Sequence, residues 1–227
     1  MIISDKYNFV YQHISKSAGT FIMHILLKYL KEEVKFIAQH GIYLDLDDKD
    51  KNNDLAISIS HPVDKWVSLY CDMCHGETVT TVINSEEKPF YEKPIREDKY
   101  GNPSHRSEFH CGESFNYFID HELDKQVEGF TSRKKLSDSI QQCEDLGNKV
   151  FFIKKEFFVY DFIKFLDAKN IPISNEMLEE ICNTVMRKSD NNLFNSIRNK
   201  VYQDRNLLNR ICQAEEFLLQ IYDDSRF

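Results

Sequence analysis

Residues 13–21 read His13-Ile14-Ser15-Lys16-Ser17-Ala18-Gly19-Thr20-Phe21. These types at this spacing suit the binding of an anion. Lys16 carries a full positive charge, and Ser17 and Thr20 supply hydroxyl donors. Gly19 lets the backbone approach a ligand closely. A helix that starts here adds backbone N–H groups without intrahelical partners and the positive end of its macrodipole.

The neighbouring sequence predicts the elements needed to position these groups. Phe9, Val10 and Tyr11 open a β-favouring run that ends near Ile14. Beyond the polar turn, Phe21, Ile22, Ile25, Leu26, Tyr29 and Leu30 recur at helical spacing. Strand, small-residue loop and helix follow one another. Three further apolar stretches read as strands, at residues 34–38, 55–60 and 150–153. Pro62 suits the first turn of a helix, whose apolar stripe is Val63, Trp66, Val67 and Tyr70. Residues 44–54 are an acidic, solvated loop, and residues 197–223 read as one long amphipathic helical region without Pro or Gly. Strand–loop–helix units of this kind predict an α/β fold, three-layer α/β/α around a mostly parallel sheet. Its ligands are expected beyond the carboxyl ends of the strands, where His13, Lys16, His40, Ser60 and His61 fall.

A nucleotide triphosphatase loop reads G-x-x-x-x-G-K-(S/T), with lysine after the second glycine. Here lysine precedes the glycine by three residues, which disfavours a small-molecule P-loop kinase. The segment instead resembles the donor loop of the sulfotransferases, H-I-P-K-T-A-G-T-S, with Ser15 and Ser17 replacing proline and threonine. A second stretch resembles the same family. Its R-(D/N)-P-x-(D/E)-R-(F/W/L)-x-S-x-(Y/F) motif aligns without a gap on residues 60–70, matching Pro62, Asp64, Trp66, Ser68 and Tyr70, with Lys65 at its second arginine. The chain departs from the motif at its first position, where the family's arginine is Ser60. A serine hydroxyl does not replace a bidentate guanidinium. Weaker similarities follow at residues 114–119, where Ser114 reads as the cap of a helix carrying Phe115, Phe118 and Ile119, and at residues 161–166, 171–173 and 201–208.

The resemblance implies a P-loop-like sulfotransferase fold; with no apolar run for the membrane anchor of the Golgi glycan sulfotransferases, the chain would be a soluble relative or an excised domain. It would move a sulfonate from 3′-phosphoadenosine 5′-phosphosulfate (PAPS) to a hydroxyl or amine of a glycan or small metabolite, with no metal. By the same resemblance Lys16, Ser17, Ala18, Gly19, Thr20 and Phe21 would cradle the donor, and Ser60 and Ser68 would occupy its 3′-phosphate position. His40 and His61 are the candidate general bases. Residues 75–112, irregular and polar with scattered Lys, Arg and His, read as a substrate lid or a plain mixed surface. The basic run at residues 131–135 reads as a helix entry or a second source of phosphate neutralisation. The missing arginine leaves a non-catalytic nucleotide- or protein-binding relative as the competing expectation.

Bulk composition sets the outer bounds. The 227 residues show no Pro/Gly/Ser-rich linker, so one domain over 1–227 is expected. Hydrophobic residues at 41% favour a packed globule over disorder. A formal net charge of −8 disfavours a general nucleic-acid binder. No apolar run reaches the ~20 residues of a membrane span, and the N-terminus lacks a signal-peptide pattern, so a cytoplasmic location is expected. Six cysteines should then be mostly free thiols. The pattern Cys71-x-x-Cys74-His75 fits haem attachment, which occurs outside the cytoplasm. A zinc site from Cys71, Cys74, His110 and Cys111 is the other metal reading, set against ordinary burial of thiols.

Overall fold

The computed structural model describes residues 1–38, 41–74, 115, 119, 133–183 and 191–224. Five strands form one sheet: β1 (Ile2–Ser4), β2 (Phe9–Gln12), β3 (Lys35–Phe36), β4 (Asp54–Ile59) and β5 (Val150–Lys154), in the order β3-β1-β2-β4-β5. β2, β4 and β5 run parallel, in register through Val10↔Leu55 and Leu55↔Val150. β1 is antiparallel to both β2 and β3. The parallel half is the part expected from the apolar runs. The sheet as a whole is mixed, because a hairpin strand at the N-terminus separates β2 from β3. β3 itself is shorter than residues 34–38 suggested. It has two exposed residues at the sheet edge, where half of its backbone groups face no strand.

Both sheet faces are covered, which explains why the strands read as continuous apolar runs. On one face Ile2, Phe9, Tyr11, Ala56 and Ile153 pack against α1 (Gly19–Tyr29), α4 (Phe158–Ala168) and α5 (Asn175–Asn183). On the other face Ile3, Val10, Leu55, Ile57 and Ile59 pack against α3 (Arg133–Asp145) and α8 (Glu216–Asp224), with Tyr43 and Leu46 from the loop before β4. Burying Leu, Ile and Phe side chains contributes about 1.5–3 kcal/mol each, so both clusters hold their helices firmly on the sheet. A third cluster joins α2 (Pro62–Cys74) to α6 (Asn191–Gln203), α7 (Arg205–Ala214), Phe115 and Ile119.

The region read as one long helix over 197–223 is broken into α6, α7 and α8. Asp204 accepts from the Asn206 and Leu207 N–H groups at 3.1 Å and caps α7. The second break is at Glu215, whose buried carboxylate accepts from Lys65 Nζ at 3.1 Å and Trp66 Nε1 at 3.0 Å. Both interruptions come from polar side chains with local or distant partners, without Pro or Gly. Of the weaker expectations, Phe115 and Ile119 are helical and buried; Ser114, Phe118 and the lid reading over 75–112 lie outside the described residues. Of the basic run, Arg133 opens α3 while Thr131 and Ser132 lie outside them. Cys71, Cys143, Cys182 and Cys212 are free thiols.

Candidate functional site

The carboxyl ends of β2, β4 and β5 lie side by side, and each continues into a loop with polar residues. β2 runs into residues 13–18 and then α1, β4 into Ser60 and His61, and β5 into a tight turn, Lys155–Phe157. Lys16 and Ala18 both adopt left-handed backbone, with φ 67° and 65°. For a residue with a Cβ this costs about 1–2 kcal/mol, so the fold imposes the conformation. Two left-handed residues in three give the kind of backbone that forms anion-binding concavities.

A buried relay of hydroxyls fixes this loop. The Ser17 hydroxyl donates to the Ile14 carbonyl at 2.5 Å, which leaves Ser58 as donor to Ser17 Oγ at 2.7 Å. Ser58 in turn accepts from the Tyr11 hydroxyl at 2.7 Å. Ser58 and Ser17 each give and receive, and every hydroxyl proton of the chain finds an acceptor. Burial pushes the Tyr11 phenol far above its usual range, which keeps it a donor. Ser17 is therefore a structural residue that faces inward, and its hydroxyl is spent on the loop. Gly19 likewise serves a packing contact. A Cβ there would lie 1.8 Å from Cδ2 of the buried His13 ring. The space that the missing side chain opens is filled by the imidazole. Thr20 is exposed in the first turn of α1, and Phe21 packs edge-on against Phe158 at 5.3 Å.

Across the sheet ends, Ser60 is 2% exposed and its Oγ has no hydrogen-bond partner. His61 donates its backbone N–H to Glu156 Oε1 at 3.1 Å, and its ring Nδ1 accepts from the Val63 N–H at 3.3 Å. The imidazole thus caps α2, with its edge 5.3 Å from the Tyr222 ring, centre to centre. Burial, with the Glu156 and Asp64 carboxylates nearby, pushes the Tyr222 phenol well up. Asp64 is held by Arg198 Nε at 2.6 Å. Lys155 joins this group from β5. Burial pushes its ammonium below the usual lysine range, and the charge of Lys16 pushes the same way, against Glu156 and Asp64.

The sequence-derived residues Lys16, Ser17, Ala18, Gly19, Thr20, Phe21, Ser60 and His61 are thus gathered at one end of the parallel strands. Ser68 lies on the half-buried side of α2, about 9 Å beyond Pro62 by helix rise. His40 lies outside the described residues. Lys155 and Glu156, just past the apolar run at 150–153, carry no motif in the sequence; their place near Ser60 comes from the β4–β5 pairing. A separate cavity of about 450 Å³, lined by Lys6, Tyr7, Asn8, Ala168, Lys169 and Asn170, lies at the amino end of the strands. There Lys169 is committed to Asp54 and the Asn8 carbonyl, and Lys6 is paired with Glu33. Among the described residues no group of three or more His, Cys, Asp or Glu could hold a metal, and no helix is long and apolar enough to cross a membrane.

Fold and site together define an α/β protein with a lysine-bearing strand–loop–helix at the carboxyl ends of parallel strands. Comparisons with protein-family models, with curated proteins and with solved structures find no match for this chain.

Proposed function

We propose that this chain is a sulfotransferase with a P-loop-like donor site, moving a sulfonate from PAPS to a hydroxyl or amine of a glycan or small metabolite. The observation that carries the reading is the placement of Lys16: a lysine held in left-handed backbone between β2 and the N-terminus of α1. There a cation, the helix dipole and the first N–H groups of α1 act on one anionic group. The donor fits this set of groups: it is polyanionic, and the set is cationic with an orphaned buried hydroxyl at Ser60.

In the reaction the acceptor oxygen or nitrogen forms a bond to sulfur while the bridging S–O bond breaks. Negative charge grows on the departing phosphate oxygen. Lys16 and the α1 N–H groups stabilise that charge, and their fixed placement spares reorganisation during the step. The acceptor proton needs a base within about 3 Å. His61 is tied through Nδ1 to α2, which leaves His40 as the first candidate for that role.

Lys16→Ala tests the reading with a labelled donor and a panel of sugar and amine acceptors. Transfer should fall by at least about 100-fold, the usual loss for a charge-stabilising donor, while the circular dichroism spectrum is retained. Unchanged turnover would remove Lys16 from the mechanism. Ser60 at the arginine position favours one second reading, a non-catalytic relative that binds a nucleotide or a protein. Donor binding without transfer to any acceptor separates the two.

A further inference from the structure

Three aromatic rings from three helical elements meet where β4 and β5 end. The His61 imidazole, just before α2, has its centroid 5.3 Å from the Tyr222 ring of α8 and 6.5 Å from the Tyr202 ring of α6. In one straight helix over 197–223 the two tyrosines, 20 residues apart in the chain, would stand about 30 Å from each other. The breaks at Asp204 and Glu215 are what bring both to His61. Tyr202 is 42% exposed, and His61 and Tyr222 are half-buried, so the rings form part of the surface. Each tyrosine has a cation over its ring: Arg198 lies 5.2 Å from the Tyr202 centroid and Lys154 4.9 Å from that of Tyr222. Those contacts hold the rings in place. The charges at the rings are balanced, with Arg198 and Lys154 matched by Asp64 and Glu156. Arg198 Nε donates to Asp64 at 2.6 Å, and Glu156 accepts the His61 N–H at 3.1 Å. These groups keep capacity for a ligand, because a guanidinium has several N–H donors and a carboxylate several lone pairs. His61 Nδ1 accepts from the Val63 N–H, which places the proton of the neutral ring on Nε2 as a further donor.

We infer that Tyr202, Tyr222 and His61 form a subsite for a neutral sugar unit, the part of the acceptor that is held while transfer takes place. A ligand matched to these groups needs an apolar face and a rim that both donates and accepts hydrogen bonds. A sugar ring has both. Its C–H groups carry partial positive charge and meet the negative face of an aromatic ring. Its hydroxyls meet Asp64, Glu156 and Arg198, each of which is already fixed by a partner inside the protein. A free anion or cation would compete with the Asp64–Arg198 pair, whereas a neutral hydroxyl adds to it. Acceptor choice then lies on α6 and α8. The role as an acceptor subsite rests on the donor reading above; the binding of a sugar does not.

The test is saturation-transfer NMR titration of the full chain with lactose, maltotriose, cellotriose and triacetylchitotriose as neutral probes, and with indole as a planar apolar control. The wild-type chain should bind at least one of the sugars with a Kd of about 1 mM or tighter. Tyr202 is exposed, so Tyr202→Ala should keep the fold, as circular dichroism would verify. It should weaken sugar binding by about 5-fold, the loss of one aromatic contact. Tyr202→Phe keeps the ring and should stay within about 2-fold. Tyr160→Ala, at an exposed tyrosine on α4, should change nothing. A folded wild-type chain that binds none of the sugars, binding of indole alone, or a Tyr202→Ala chain that binds sugar as the wild type does would each overturn the subsite. If 3′-phosphoadenosine 5′-phosphate still binds in that case, the donor reading stands. Sugar binding that depends on Tyr202 in a chain without affinity for the bisphosphate would keep the sugar site and overturn its role as acceptor subsite together with the donor reading.

Discussion

Gly19→Ala puts the packing beneath the loop to a quantitative test. The added Cβ would lie 1.8 Å from His13 Cδ2 and 2.6 Å from both Cγ and Nε2. Carbon atoms in contact sit about 3.5–4.0 Å apart, so ring and helix must separate by well over an ångström. The ring cannot simply leave, because His13 is 4% exposed. An approach of 1.8 Å belongs to the upper part of the about 1–3 kcal/mol that overpacking costs, and the better helix propensity of alanine returns at most about 1 kcal/mol. A net loss of about 1–2 kcal/mol is expected, which lowers a urea midpoint by about 0.5–1 M for an m-value near 2 kcal/mol/M. His13→Ala removes the obstacle, so a double-mutant cycle should give a coupling of about 1–3 kcal/mol between the two sites. A Gly19→Ala protein with the wild-type midpoint, or two strictly additive variants, would refute the packing argument.

Two further outcomes follow from buried groups elsewhere. Glu215→Ala leaves Lys65 and the Trp66 indole N–H without their buried carboxylate, and should destabilise by about 3 kcal/mol in urea unfolding. A change below about 0.5 kcal/mol, the level of an ordinary surface substitution, would contradict this. Burial raises the Cys143 thiol to about 11, so at pH 8 about 0.1% of it is thiolate, against about a quarter for an ordinary cysteine. Iodoacetamide labelling followed by peptide mass mapping should therefore modify exposed Cys182 well before Cys143. Early modification of Cys143 would show that its pocket opens.

The parts of the fold that were legible in the sequence are those with a strong local signal. The apolar runs of β2, β4 and β5, and Pro62 opening α2, fold as their patterns predict. β1 gave too short a signal: Ile2–Ser4 is three residues, paired through a turn in which Asn8 takes a left-handed φ of 53°. The breaks at Asp204 and Glu215 depend on what those carboxylates bind, and for Glu215 the partners are 149 and 150 residues away. Sequence periodicity has no access to such demands.

The same division runs through the site. The order Lys16, Gly19, Thr20 marks the loop, but it does not say which side chains face inward. Ser17 turns to Ser58, and Gly19 makes room for His13, because the loop must first satisfy the core beneath it. Lys155 comes to lie beside Ser60 across the β4–β5 ladder although the two are 95 residues apart in the chain. Parallel pairing creates that adjacency, and no local motif encodes it.

The most direct measurement is calorimetric titration of the wild-type chain with 3′-phosphoadenosine 5′-phosphate, with ATP as the control. A donor site built on Lys16 and the start of α1 predicts saturable binding of the bisphosphate, at least about 10-fold tighter than ATP, or about 1.4 kcal/mol. Binding of neither nucleotide by the folded protein, or a preference for ATP, would contradict the sulfonate-donor reading.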